Sequence, residues 1–270
     1  DKRIVQKWRA KDWPIKHTST VSFTFENLGN GTKLTFSHIG VPIDQFKSIG
    51  KFLKQRLNEK QLYPIFDDIF KAFRECPYEK LVTIFLTNNA YQKELDGLAF
   101  SAKKEIGEND CPEQLTKIFD AVEQDVARGL YLNRNRDLTR WANQGVLLLN
   151  CDLSTERGAK PGVHLDLWRP FIEFLIDSVS GYNSGLLWIL IGKEALKHKS
   201  LINSEVHSII EVEHPMLSVK EKRPWRHKNI FSEINHASKF LNNYTIDWII
   251  PYTENEINKF INSGLQIKKI

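Results

Sequence analysis

The sequence predicts an α/β fold: a central four-stranded parallel sheet flanked by helices, with an N-terminal β-hairpin extension. Three observations carry that expectation. Four short, nearly continuous apolar runs recur along the chain, the pattern of strands buried on both faces. Stretches of helical spacing separate them, as parallel strands require. The first 45 residues have a different texture, alternating apolar and polar side chains on either side of a turn cluster.

Residues 21–25 (VSFTF) alternate, 27–31 hold Asn27, Gly29, Asn30 and Gly31, and 33–36 alternate again, which reads as a β-hairpin. Two short strands do not make a stable domain alone. Residues 1–45 are therefore set apart as an extension, and 46–270 as the main domain. Helical spacing follows at 46–57 and 65–73. Residues 81–86 (LVTIFL) form the first buried strand. A helix is expected at 112–126, with Leu115, Ile118, Phe119 and Val122 on one face. Residues 145–149 (GVLLL) give the second strand, 168–179 a helix, 186–191 (LLWILI) the third strand and 208–212 the fourth. A last helix covers 230–241, ahead of a short segment at 246–248.

Length and composition fit one large domain, or one with a small extension: 270 residues, 41% apolar and 26% charged. No stretch is long and apolar enough to span a bilayer. The charged start, Asp1-Lys2-Arg3, lacks the apolar core of a signal peptide, and an intracellular protein is expected. A monomer is the expected state. The single Met, Met216, is internal, so residue 1 is not expected to be the native start. A net charge of +5 permits a polyanionic partner without demanding one. Cys76, Cys111 and Cys151 are odd in number and far apart, with no CxxC pair. That argues against a zinc site, an iron–sulfur cluster and a disulfide framework. The eight histidines show no metal-ligand spacing, so no metal and no cofactor are expected.

Sites in open parallel sheets lie beyond the carboxyl ends of the strands. The first end reads Thr87-Asn88-Asn89-Ala90-Tyr91-Gln92 and runs on to Gly97-Leu98-Ala99-Phe100-Ser101. The second reads Asn150-Cys151-Asp152, the third Gly192-Lys193-Glu194, and the fourth Glu213-His214-Pro215-Met216-Leu217-Ser218. There is no GxSxG elbow and no nucleophile with a base beside it. The set suits a flat polar heterocycle better. Phe100 can stack on a ring and Tyr91 can wall one edge. The Asn150 amide can donate to one ring atom and accept from another. His214 can stabilise charge on a carbonyl oxygen, and Leu217 can wedge into a base stack. Taken singly, each has a plainer reading: Asn150 as a turn residue, Phe100 and Tyr91 as core, His214-Pro215 as loop. Joint occurrence at successive strand ends favours the site.

These residues carry a resemblance. WANQGVLLLN at 141–150 resembles the WAxQGVLLLN segment of family 1 uracil-DNA glycosylases. Residues 186–192 resemble their LLWG strand and turn, and His214 to Ser218 their HPSPLS loop, one residue shorter. Gly97 to Ser101 resembles GLxFS. Phe231, Ser232 and Asn235 resemble HFSxxN, and Ile246-Asp247-Trp248 matches IDW. Order and spacing agree from about residue 46 to 250. The resemblance implies a uracil-DNA glycosylase-like fold and base excision by hydrolysis of the N-glycosidic bond, with single- or double-stranded DNA as partner. It implies that Asn150 reads the uracil edge, Phe100 stacks on it and Tyr91 excludes a C5-methyl group. Asn88 joins this substrate-binding set. His214 stabilises the uracil anion at O2. Leu217 fills the gap left by the flipped base, while Gly192, Lys193 and Ser218 grip phosphates.

The departures concentrate at the first strand end. Where the family has GQDPYHG, this chain has Thr87-Asn88-Asn89-Ala90-Tyr91-Gln92-Lys93. Asn89 replaces the aspartate that positions and activates water. An amide cannot take that proton, though it can orient water. Gly107 to Cys111 is acidic where the family has a proline-rich loop, which weakens a phosphate grip. A weakened or inactive DNA-binding scaffold on the same fold is the rival reading. The N-terminal part, through Trp8-Arg9, Trp13-Pro14, residues 21–25, Gly31-Thr32 and Gly40-Val41-Pro42, resembles the closing strands of the chaperone-ATPase-activator superfamily. No function or partner is inferred from it.

Overall fold

The computed structural model describes residues 2–8, 19–27, 32–39, 48–52, 55, 62–76, 78–88, 96–102, 111–127, 134–156, 158–226 and 229–249, the first three segments by their backbone. Strands β1 (Lys2–Trp8), β2 (Ser19–Asn27) and β3 (Thr32–Ile39) form an antiparallel sheet in the order β1-β2-β3. The expected hairpin is β2–β3, with Asn27 opposite Thr32. A third strand, β1, joins it in register from Lys2↔Phe25 to Trp8↔Ser19. The reading of two strands is corrected to three. In KRIVQKW, three basic residues and the adjacent Ile4-Val5 break any alternation, so pairing with β2 is what makes it a strand.

The main sheet is built from β5 (Thr83–Thr87), β6 (Val146–Asn150), β8 (Leu187–Ile191) and β9 (Ser208–Val212), all parallel, in the order β6-β5-β8-β9. β5, β6 and β8 are buried at every residue, as their unbroken apolar runs predict, whereas β9 at the edge is mostly half-exposed. A small antiparallel pair, β4 (Leu62–Tyr63) with β7 (Thr155–Glu156), lies apart from it.

Residues 48–52 are helical, inside the stretch of helical spacing expected at 46–57, and further helices among the described residues are α1 (Lys71–Glu75), α2 (Glu113–Val122), α3 (Thr139–Ala142), α4 (Leu165–Tyr182), α5 (Gly192–Leu196), α6 (Pro215–Lys220) and α7 (Ile230–Asn242). α2 buries the predicted stripe of Leu115, Ile118, Phe119 and Val122. It continues into a wider turn at Glu123–Ala127. There the carboxylate of Asp125 accepts the Ser232 N–H at 2.8 Å, near the start of α7, where negative charge is favoured. The helical spacing at 65–73 resolves into a 3₁₀ turn at Phe66–Asp68 and then α1. Phe70, at φ −105° and ψ 18°, separates the two.

Several motif residues form a scaffold. The Trp141 indole N–H donates to the Trp248 carbonyl, and the Trp248 indole N–H to the Phe231 carbonyl, both at 3.2 Å. Trp248 meets Trp141 and Phe231 edge-on, with centroids 5.1 and 5.0 Å apart. The Asn235 amide clasps both the N–H and C=O of Ile246 at 2.9 Å, and Gln144 does the same for Asp247 at 2.8 and 3.0 Å. An irregular segment at 246–248 is thereby given the backbone partners a strand would have supplied. Among the described residues no helix is long and apolar enough to cross a membrane.

Candidate base-binding site at the strand ends

Register sets the site. Thr87 pairs with both Asn150 and Ile191, and Ile191 pairs with Val212. Four strands therefore end on one line. The residues just past that line, Asn88, Cys151, Gly192 and Glu213, are neighbours because of it, with Asn150 as the last residue of β6 and buried. The Thr87 carbonyl takes one more ladder bond from the Cys151 N–H at 2.6 Å, which extends the order past the strand end. Asn88 and His214 then close on Gly192. A Cβ there would lie 3.1 Å from both Asn88 Oδ1 and His214 Cβ, and Gly192 has φ +82°. The conformation favours glycine, and any side chain there would crowd both neighbours.

Phe100 reaches His214 from a separate turn. It has φ +66°, a conformation that non-glycine residues adopt only when their surroundings impose it. The Ala99 N–H donates to Leu148 O and the Ala102 N–H to Arg136 O, both at 3.0 Å, so the turn is bound to β6 on one side and to the 136 segment on the other. Asp96, 3% exposed, ties the turn together. One oxygen accepts the Leu98 N–H at 3.1 Å; the other accepts the Ser101 hydroxyl at 2.7 Å and the Lys71 ammonium at 2.9 Å. Gly97 is obligatory, because a Cβ would fall 1.9 Å from Asp68 O. The ring of Phe100, 6% exposed, ends 5.8 Å from the His214 imidazole at 44°.

His214 caps α6. Its Nδ1 accepts the Met216 N–H at 3.2 Å, and Pro215 takes the first helical position, where no N–H is needed. Burial, aided by the nearby Lys220 charge, pushes its pKa down to about 4. The ring is therefore neutral at physiological pH. With Nδ1 accepting, the single proton belongs on Nε2. That nitrogen is buried and finds no partner among the described residues. A buried donor without an acceptor costs about 1–3 kcal/mol, which a ligand oxygen would recover.

Of the residues predicted from sequence, the structure brings Asn88, Phe100, Asn150, Gly192 and His214 to this one end. Lys193 is exposed on α5 and Leu217 projects from α6 with 43% exposure. Ser218 is fully buried, its hydroxyl donating to Glu213 at 3.0 Å and accepting from Arg223 at 3.0 Å, so it reaches a phosphate only if that pair opens. Asn89, Tyr91 and the acidic residues 107–110 lie outside the described residues. Sequence reasoning missed the two carboxylates that organise the site, Asp96 and Glu213. A signal was there: each immediately precedes a motif, Gly97 to Ser101 in one case and His214 to Ser218 in the other.

Comparisons with known proteins find relatives over most of the chain. The chain is 35% identical to a uracil-DNA glycosylase of Amoebophilus asiaticus over 63% of its own length and 76% of that relative. It is 32% identical to a uracil-DNA glycosylase of Anoxybacillus flavithermus over 76% of its length and 89% of the relative. The crystal structure of mimivirus uracil-DNA glycosylase superposes with a TM-score of 0.63 at 20% identity, covering 77% of this chain and 86% of that one, which supports the fold. Residues 1–60 match the family described as Activator of Hsp90 ATPase homolog 1-like protein, extending past residue 45, where the extension was expected to end.

Proposed function

The chain belongs to the uracil-DNA glycosylase family, and we propose that its strand-end site takes a uracil flipped out of DNA and releases it by hydrolysis of the N-glycosidic bond, the first step of base excision repair. The single observation that carries the reading is the neutral, buried His214 beside the Phe100 ring, with an Nε2–H that finds no partner among the described residues. Phe100 stacks on the base. Asn150 pairs with its polar edge, and Asn88 lines the same end. Tyr91 fills the space a C5-methyl group would need. As the bond between C1′ and N1 breaks, its electron pair passes to the base and accumulates at O2. A donor already in place there stabilises the departing anion without reorganisation. A neutral imidazole is suited to this, because it donates without a proton first having to leave solvent. Water then bonds to C1′ and gives its proton to solvent.

Asn89 orients that water but cannot accept its proton. Turnover therefore rests more heavily on the leaving-group side, and Asn89→Asp raises the rate. Lys193 and Leu217 meet the DNA, and Gly192 lets its backbone come close. The activity needs one copy of the chain, no metal and no cofactor. It is carried by residues from about 46 onward, with the N-terminal sheet as a separate unit. The test is uracil release from single- and double-stranded oligonucleotides at stoichiometric protein. Free uracil is expected from both. Release from neither, together with failure of Asn89→Asp to restore it, would establish the scaffold reading instead.

A further inference from the structure

Glu213 stands between the last residue of β9 and His214, and its carboxylate gathers groups from three points of the chain. Oε1 accepts Arg223 Nη1 at 2.6 Å, Ser218 Oγ at 3.0 Å and the Arg226 N–H at 3.3 Å, while Oε2 accepts Arg223 Nη2 at 2.9 Å. Arg223 is thus held by both prongs of its guanidinium, the geometry that fixes direction as well as charge. Its Nη1 also donates to Ser218 Oγ at 3.0 Å, and its backbone N–H to Ser218 O at 3.0 Å. The Trp225 indole N–H closes the ring of contacts on the Glu213 carbonyl at 2.9 Å. These bonds join the residue ahead of the His214 cap, the body of α6 and the segment that leaves it. α6 has six residues, far too few to hold helical form by propensity. Its exposed face carries Leu217.

We propose that Glu213 and Arg223 are positioning residues that keep α6 preformed, so that Leu217 enters the base stack as a rigid wedge while His214 stays fixed at the other end of the same helix. The inference rests on the glycosylase reading and deepens it. Opening a duplex means unstacking and unpairing a base, whereas a single strand offers its base with little such work. A wedge that is ordered beforehand adds no ordering cost to that step; a loose one adds it there and nowhere else. The clamp also keeps its charge through the working range of such an enzyme, because Arg223, with Ser218 and the Arg226 N–H assisting, holds the Glu213 carboxyl down at about 2.

The experiment measures single-turnover uracil release from matched single-stranded and duplex oligonucleotides by the full chain, its E213Q and R223K variants, and the same variants in an L217A background. E213Q keeps the shape and loses the charge. R223K keeps the charge and loses the two-pronged grip. Both are expected to slow release from duplex by about tenfold or more, and from single strand by less than about threefold. Placing the uracil opposite an abasic site, where less unpairing is needed, is expected to restore most of the loss. In the L217A background neither variant is expected to slow the duplex reaction further. Equal loss on both substrates, no loss on either, additive loss with L217A, or failure of both variants to fold would each overturn the positioning role. Absence of release by the unaltered chain from single-stranded DNA would instead sink the glycosylase reading, so the two failures are distinct.

Discussion

The turn that carries Phe100 and the helix that carries Leu217 are held by the same device, placed at different depths. In each, a carboxylate one residue ahead of the motif collects a serine hydroxyl, a backbone N–H and a cation: Ser101, Leu98 and Lys71 around Asp96, and Ser218, Arg226 and Arg223 around Glu213. The Asp96–Lys71 pair is nearly sealed, with side-chain exposures of 4% and 14%. The Glu213–Arg223 pair is at the rim, at 15% and 20%, with Arg226 mostly in solvent beside it. Depth follows task. The buried brace imposes a strained backbone on a ring that has only to stay still. The rim brace supports Leu217, the residue proposed to enter DNA, where rigidity is useful but the surroundings change on binding. Breaking the first is therefore a stability event, and breaking the second a substrate-dependent one.

His214 lies between the two braces, and its loss gives the largest effect. His214→Gln is expected to lower the excision rate about 10²–10³-fold on single strand and duplex alike, the magnitude of removing one preorganised donor. Single-turnover release measures it, and a loss confined to duplex would assign His214 to the wedge instead. Asp96→Asn comes next. It leaves the Lys71 ammonium without its counter-charge and loosens the positive-φ turn at Phe100, so it is expected to cost about 3 kcal/mol of stability. Urea midpoints measure that. Activity on both substrates falls with it, and an unchanged midpoint would remove the distinction between the braces. Gly192→Ala is smaller, about 1–3 kcal/mol, from a Cβ crowding His214 at a backbone conformation suited to glycine. Thermal unfolding reads it, with slower release from both DNA forms. Glu213→Gln is the mildest for stability, within about 1 kcal/mol, because the pair is partly solvated; its effect is read in the ratio of duplex to single-strand rates.

The sheet was legible because each inner strand is an unbroken apolar run, and their ends placed Asn150, Gly192 and His214 together once the strands were taken as parallel. The braces were not legible, because they are made by distance. Lys71 is 25 positions from Asp96, and the carbonyls that hold Ala99 and Ala102 belong to Leu148 and Arg136. Nothing local to Phe100 announces a left-handed backbone. Trp141, Gln144, Asn235 and Trp248 were visible as parts of a family pattern, but their work is to secure 246–248 and the core, which no motif string distinguishes from work at the site.

The most direct test of the account is the pH dependence of uracil release from a single-stranded oligonucleotide, followed from about pH 5 to about pH 8, the range in which an ordinary histidine titrates. The His214 imidazole would titrate near 6.5 in the unfolded chain and does so near 4 in the folded one. The unfolded chain binds the extra proton in that window, so the stability that neutral His214 secures is complete above about 6.5 and declines as pH falls toward about 4. With His214 already neutral and an amide at Asn89 in place of a titrating base, the account predicts release at a rate nearly level across the range. A fall in rate on the acid side with an apparent pKa near 6.5 that disappears in His214→Gln, or no release at any pH, would contradict it.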